Sequence, residues 1–168
     1  MKKRCAILSS SCLVIVALCA VQVSHIPPMF IWNHTKSIER GLYIYAGYRV
    51  QRGVIVAVSV PPEHRKQLSE GGFLPENVPL MKYVAAVSGD QTCRLKEEIF
   101  IRTDPAAIAL SMDSMGRQLP VWQGCQLLDR DEIFLLGAHP HSFDSRYFGS
   151  VHMDSVIGTY RLMWRARS

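Results

Sequence analysis

The sequence predicts a mostly β protein: an N-terminal transmembrane helix, then a partly closed antiparallel β-sheet domain with one short surface helix. Three observations lead there. An uncharged apolar run near the N-terminus is long enough for a bilayer, β-branched and aromatic segments recur at short intervals after it, and only one later stretch has helical composition.

The first element is the anchor. Lys2, Lys3 and Arg4 precede 19 uncharged residues, Cys5 to Val23, which as a helix span about 28 Å. A cleaved secretory signal begins the same way, and Ala17 with Cys19 supply the small residues such a site needs. Apolar character resumes at Val21, Val23, Ile26 and Met29, however, so the expectation is an uncleaved anchor over residues 5–24. Basic residues ahead of the span place residues 1–4 in the cytoplasm, and a juxtamembrane segment 25–36 and an exported domain 37–168 follow. Those three N-terminal cations also account for most of the formal net charge of +5. What remains is nearly balanced, with no basic stripe interleaved with aromatics, which argues against a nucleic-acid partner.

Beyond Pro27 and Pro28, Leu42–Val50 is aromatic and β-branched, and Val54–Val60 is an apolar run ended by two prolines. Glu63–Glu70, opened by Pro62 and closed by Gly71 and Gly72, is the expected surface helix. Pro79–Val87 reads as the next strand, ended by Ser88-Gly89-Asp90. Cys93–Arg102, Ala106–Ser111 and Glu132–Gly137 follow, with turn signals at Asp104-Pro105 and Asp113–Gly116, and Val156–Trp164 closes the sheet.

Lys82 is the most unusual residue of the exported part. Alternation sets it with Leu80, Val84 and Ala86 on one face of an apolar strand, with Met81, Tyr83, Ala85 and Val87 on the other. A buried lysine is pushed toward the free amine and becomes usable as a base, although a lysine at a strand edge also snorkels to solvent. Ser37 is a candidate nucleophile because it follows the anchor by 14 residues, close to the membrane surface. Cys5, Cys12 and Cys19 lie within the anchor. Cys93 and Cys125, in the exported part, are a disulfide candidate, and no cysteine spacing suggests zinc. His139 and His141 lie near Asp144, but they offer only two ligands on a loop, so no metal or cofactor is expected.

Three segments taken together resemble the ordered boxes of type I signal peptidases: Asn33-His34-Thr35-Lys36-Ser37 running to Gly41-Leu42-Tyr43, Pro79-Leu80-Met81-Lys82 running to Gly89-Asp90, and Ser142-Phe143-Asp144-Ser145-Arg146-Tyr147-Phe148-Gly149. The likeness is to the TraF branch, conjugative transfer peptidases that process pilin precursors. It implies a sheet domain of the signal peptidase kind, with Ser37 as nucleophile and Lys82 as general base of a Ser-Lys dyad. It further implies Thr35 as an oxyanion donor with the backbone N–H of Ser37, Ser142 as a hydroxyl that orients the lysine, and Asp144 as an additional acid held by Arg146. A structural salt bridge is the alternative reading of that last pair. Tyr147, Phe148 and Gly149 read as packing and a turn.

Two residues depart from the family pattern, Glu39 and Ser88, each standing where proline is usual. The function so implied is that of a single-pass inner-membrane serine endopeptidase with its catalytic domain in the periplasm. It would cleave a membrane-bound exported precursor, a conjugative pilin, through an acyl-enzyme, with cyclisation of the product as a further step. Its partners would be that precursor, the inner membrane and other conjugative transfer proteins. The alternatives are a general type I signal peptidase and a non-catalytic envelope scaffold with the same fold.

Overall fold

Alternating β-branched and aromatic residues pair here into two antiparallel sheets. The structure, a computed structural model, describes residues 26–60, 65 and 78–166. Its strands are β1 (Phe30–Asn33), β2 (Gly41–Gly47), β3 (Ile55–Val58), β4 (Leu80–Ala86), β5 (Gln91–Leu95), β6 (Glu98–Ile101), β7 (Asp104–Ile108), β8 (Gly124–Leu127), β9 (Glu132–Leu136), β10 (Val151–His152) and β11 (Val156–Arg165). A four-residue helix, α1 (Ser145–Phe148), precedes β10. The larger sheet runs β1-β2-β11-β3-β4-β9-β10 and the smaller β7-β6-β5-β8.

Burial explains the larger sheet. Val56, Val58, Leu80, Val84 and Ala86 enter one core with Phe134, Leu135 and Phe143, while Ala57 and Met81 join Ile38, Tyr43 and Tyr160 in a second. Successive residues of β3 and β4 therefore feed opposite faces, as alternation requires. Each large apolar side chain fully withdrawn from water contributes about 1.5–3 kcal/mol. Lys82 belongs by alternation to the face of Leu80 and Val84, and it is 3% exposed.

The chain leaves this sheet after β4 through a turn at Gly89, whose φ of 82° suits glycine. The hairpins that follow build a separate sheet where the sequence suggested a single one. Cys93–Arg102 is two strands, because Lys96 takes a φ of 60° and turns the chain with Glu97 between the paired residues Leu95 and Glu98. The next turn falls at Arg102 and Thr103, with Arg102 at φ 59°, so Asp104-Pro105 lies inside β7. Pro105 is tolerated there because β7 is an edge strand and needs no ladder N–H on its outer side. Cys93 and Cys125 are register partners on β5 and β8 and are joined by a disulfide.

Strands β1, β8 and β10 and helix α1 had no clear signal in the sequence. Helix α1 buries Ser145, Arg146 and Tyr147. The anchor expected over 5–24 and, Arg65 apart, the helix expected over Glu63–Glu70 lie outside the described residues. Among the described residues no helix is long and apolar enough to cross a membrane.

Candidate active site

Three elements converge on Lys82. Strand β4 brings the lysine, the loop between β1 and β2 brings Ser37, and the loop from β9 to α1 brings Ser142. The Lys82 Nζ donates to Ser142 Oγ at 2.9 Å, and Ser142 Oγ donates to Ser37 Oγ at 3.1 Å. Ser142 thus stands between the other two, and Lys82 and Ser37 are not directly hydrogen-bonded. The row opens into a cleft of about 170 Å³ whose walls include Trp32, Thr35, Met81 and Phe143.

Burial lowers the Lys82 amine from the ordinary 10.5 to about 8; Asp144 opposes the shift and Arg146 adds to it. Desolvation is the largest of these effects, because the charged ammonium loses water that one hydroxyl only partly replaces. At pH 7 roughly a tenth of the molecules then carry the free amine, against about one in three thousand at the ordinary value.

Asn33, the last residue of β1, organises the loop that carries Ser37. Its Nδ2 donates to the carbonyls of Thr35, Ile38 and Glu39 at 3.0, 3.3 and 3.0 Å. Its Oδ1 accepts from the backbone N–H and the hydroxyl of Thr35 at 3.1 and 2.8 Å. One side chain therefore satisfies five groups of a loop that forms no ladder. Thr35 borders the cleft, with its hydroxyl proton engaged by Asn33 in this state.

Asp144 is fully buried and does not hydrogen-bond to Lys82 or Ser37. It receives a bidentate pair from Arg146, Nε to Oδ1 at 2.8 Å and Nη2 to Oδ2 at 2.7 Å, and the Gly137 N–H at 2.8 Å. Arg146 also donates to the carbonyls of Gly137, His139 and Pro140 at 3.0, 3.1 and 2.8 Å. The pair thereby shapes the loop that presents Ser142, and a charge-assisted fork of this kind is both strong and directional. Tyr147 stacks on Phe143 at 5.3 Å, and Gly149 caps α1 at a φ of 78°.

Sequence reasoning missed Asn33 and Gly137 as site residues. Gly137 has no room for a side chain, since a Cβ would overlap Ser142 Oγ and come within 3.1 Å of the Ser37 carbonyl. The Ala138 N–H donates to that carbonyl at 2.7 Å. The signal was a glycine closing an apolar strand, which marks a close approach of backbone. His139 and His141 face each other at 5.4 Å, and no group of three or more His, Cys, Asp or Glu among the described residues is placed to hold a metal.

The profile of the signal peptidase family, peptidase S26, matches residues 4–165. The chain belongs to that family. Membership makes it a peptidase of the serine class. Two curated relatives are plasmid transfer proteins TraF of Escherichia coli. One is 31% identical over 146 residues, 79% of this chain and 82% of the relative; the other is 27% identical over 139 residues, 74% and 76%. A solved signal peptidase I of Enterococcus faecalis aligns with 68% of this peptidase and 98% of its own chain, at 20% identity and a TM-score of 0.39.

Proposed function

We propose that this peptidase is a Ser-Lys endopeptidase anchored in the inner membrane by residues 5–24, with its sheet domain in the periplasm. The observation that carries the reading is the hydrogen-bonded row of Lys82, Ser142 and Ser37 at the edge of an open cleft. The neutral Lys82 amine accepts the Ser37 proton as Oγ attacks the scissile carbonyl. The heavy-atom spacing suits transfer through Ser142, which gives its own proton to Nζ while taking the one from Ser37. The resulting ammonium returns a proton to the leaving amine, and the acyl-enzyme is then opened by water or by a substrate amine.

The developing oxyanion is met by the backbone N–H of Ser37 and by the Thr35 hydroxyl, which turns from Asn33 to do so; removing such a donor costs about 3–4 kcal/mol. Asp144, held by Arg146, acts at one remove. It supports the ammonium electrostatically and fixes the loop that carries Ser142.

The substrate is an exported, membrane-bound precursor. Kinship with plasmid transfer proteins favours a conjugative pilin precursor, with attack by the pilin's own N-terminal amine giving a cyclic product. Cleavage of a pilin precursor by wild type, Ser37→Ala and Lys82→Met tests the reading. Processing by wild type and by neither variant is expected, and unchanged processing by Ser37→Ala would overturn it in favour of a scaffold role. Equal cleavage of an ordinary secretory precursor would assign the broader activity of a general signal peptidase.

A further inference from the structure

Arg94 lies outside the site and is nonetheless 2% exposed. Among the described residues no carboxylate is hydrogen-bonded to it. Its guanidinium is directed at three backbone carbonyls instead: Nε donates to Lys96 at 3.0 Å, and Nη1 donates to Pro120 at 3.3 Å and to Arg146 at 2.7 Å. Burial outweighs the favour that Tyr147 and Glu97 give its charge through space, so the arrangement calls for a reason beyond packing. The Arg146 carbonyl belongs to α1. Its neighbour, the carbonyl of Ser145, receives the Trp122 Nε1 at 3.1 Å. Two donors from the smaller sheet and the segment leading into it therefore grip consecutive carbonyls of the helix that follows Ser142 and Asp144.

The grip is itself braced. Arg94 sits opposite Gly124 in the β5–β8 ladder, and the preceding pair in that ladder is the disulfide Cys93–Cys125. On the other side, α1 is tied to the larger sheet by the Leu135 N–H donating to Ser145 Oγ at 2.9 Å. The smaller sheet is thus coupled to the row of Ser37, Ser142 and Lys82 through α1.

We propose that Arg94, seconded by Trp122, is a positioning residue for the peptidase reaction: it clamps α1 so that Ser142 is held between Lys82 and Ser37. The proposal rests on the Ser-Lys reading above. It assigns the smaller sheet a part in turnover without any contact with substrate.

The test uses the full chain in detergent, a precursor peptide, and three variants: Arg94→Met, which keeps length but no donor, Arg94→Lys, and Trp122→Phe, which keeps the ring against Phe134. Each is assayed well below its own unfolding midpoint. Displacing a reacting group by an ångström through a remote change costs on the order of 10²-fold, so Arg94→Met should lose about 10- to 100-fold in kcat, with KM within about twofold. The acidic limb of its pH profile should move to higher pH as water reaches Lys82. Trp122→Phe should shift both in the same direction by less, and Arg94→Lys should recover part of the loss. A lowered midpoint with unchanged kcat and pH profile, or a loss confined to KM, would overturn the proposal. If Arg94→Met does not fold, Trp122→Phe decides by the same criteria. Titration of the Lys82 amine followed by NMR needs no turnover and separates the two readings. Cleavage that survives Ser37→Ala sinks the peptidase, whereas a Lys82 titration identical in wild type and folded variants sinks the clamp.

Discussion

On the proposed Ser-Lys reading, the buried Lys82 bears on both activity and stability. Because burial lowers the Lys82 amine to about 8, precursor cleavage should rise with pH through about 8 and level off above it, as a pH–rate profile of kcat/KM will register. The same shift sets a stability cost. In the unfolded chain the amine titrates near 10.5, so below pH 8 the fold must hold a buried charge at a cost of roughly 3 kcal/mol. That cost disappears as pH rises from about 8 to 10.5. Lys82→Met should therefore abolish cleavage while raising the thermal midpoint by several degrees at pH 7, an advantage that shrinks by pH 10.5. Ser142→Ala removes the bridging hydroxyl and should lower kcat about 100-fold with little change in KM, and Ser142→Thr should retain much of the rate.

The loops on either side of Ser37 and Ser142 are where local geometry was hardest to foresee. Strands β2, β3, β4, β9 and β11 were legible because alternation and apolar runs report burial directly. The smaller sheet was partly legible: its composition showed, but its turns at Lys96 and Arg102 use positive φ at residues that give no such signal. Lys82 and Ser37 were singled out from order and position. Asn33 was not, because a side chain that bonds five groups of its own loop leaves no periodic trace. Asn33→Ala should cost about 10- to 100-fold in kcat with the sheet intact by circular dichroism, since the loss falls on the loop that aims Ser37. Gly137→Ala should be as damaging, because the new methyl group occupies the place of Ser142 Oγ.

At the scale of the whole molecule, the disulfide and the β11 spine hold the parts together. Replacing both Cys93 and Cys125 by serine opens a closed loop whose ends are 32 residues apart and should lower stability by about 3–4 kcal/mol in a denaturant titration. An unchanged midpoint would mean that the β5–β8 pairing alone holds the smaller sheet.

Strand β11 pairs with both β2 and β3, and at its far end Arg165 lies opposite Gly41 and bonds to Glu39 at 2.6 Å, while the Ala166 N–H donates to Arg40 at 3.0 Å. The loop that aims Ser37 is thus completed by residues made more than a hundred positions later. Ser37 is made early, but its loop gains these two contacts only once β11 has been made. A chain cut short before residue 156 would lack both contacts, and on the proposed Ser-Lys reading it should leave the precursor uncleaved.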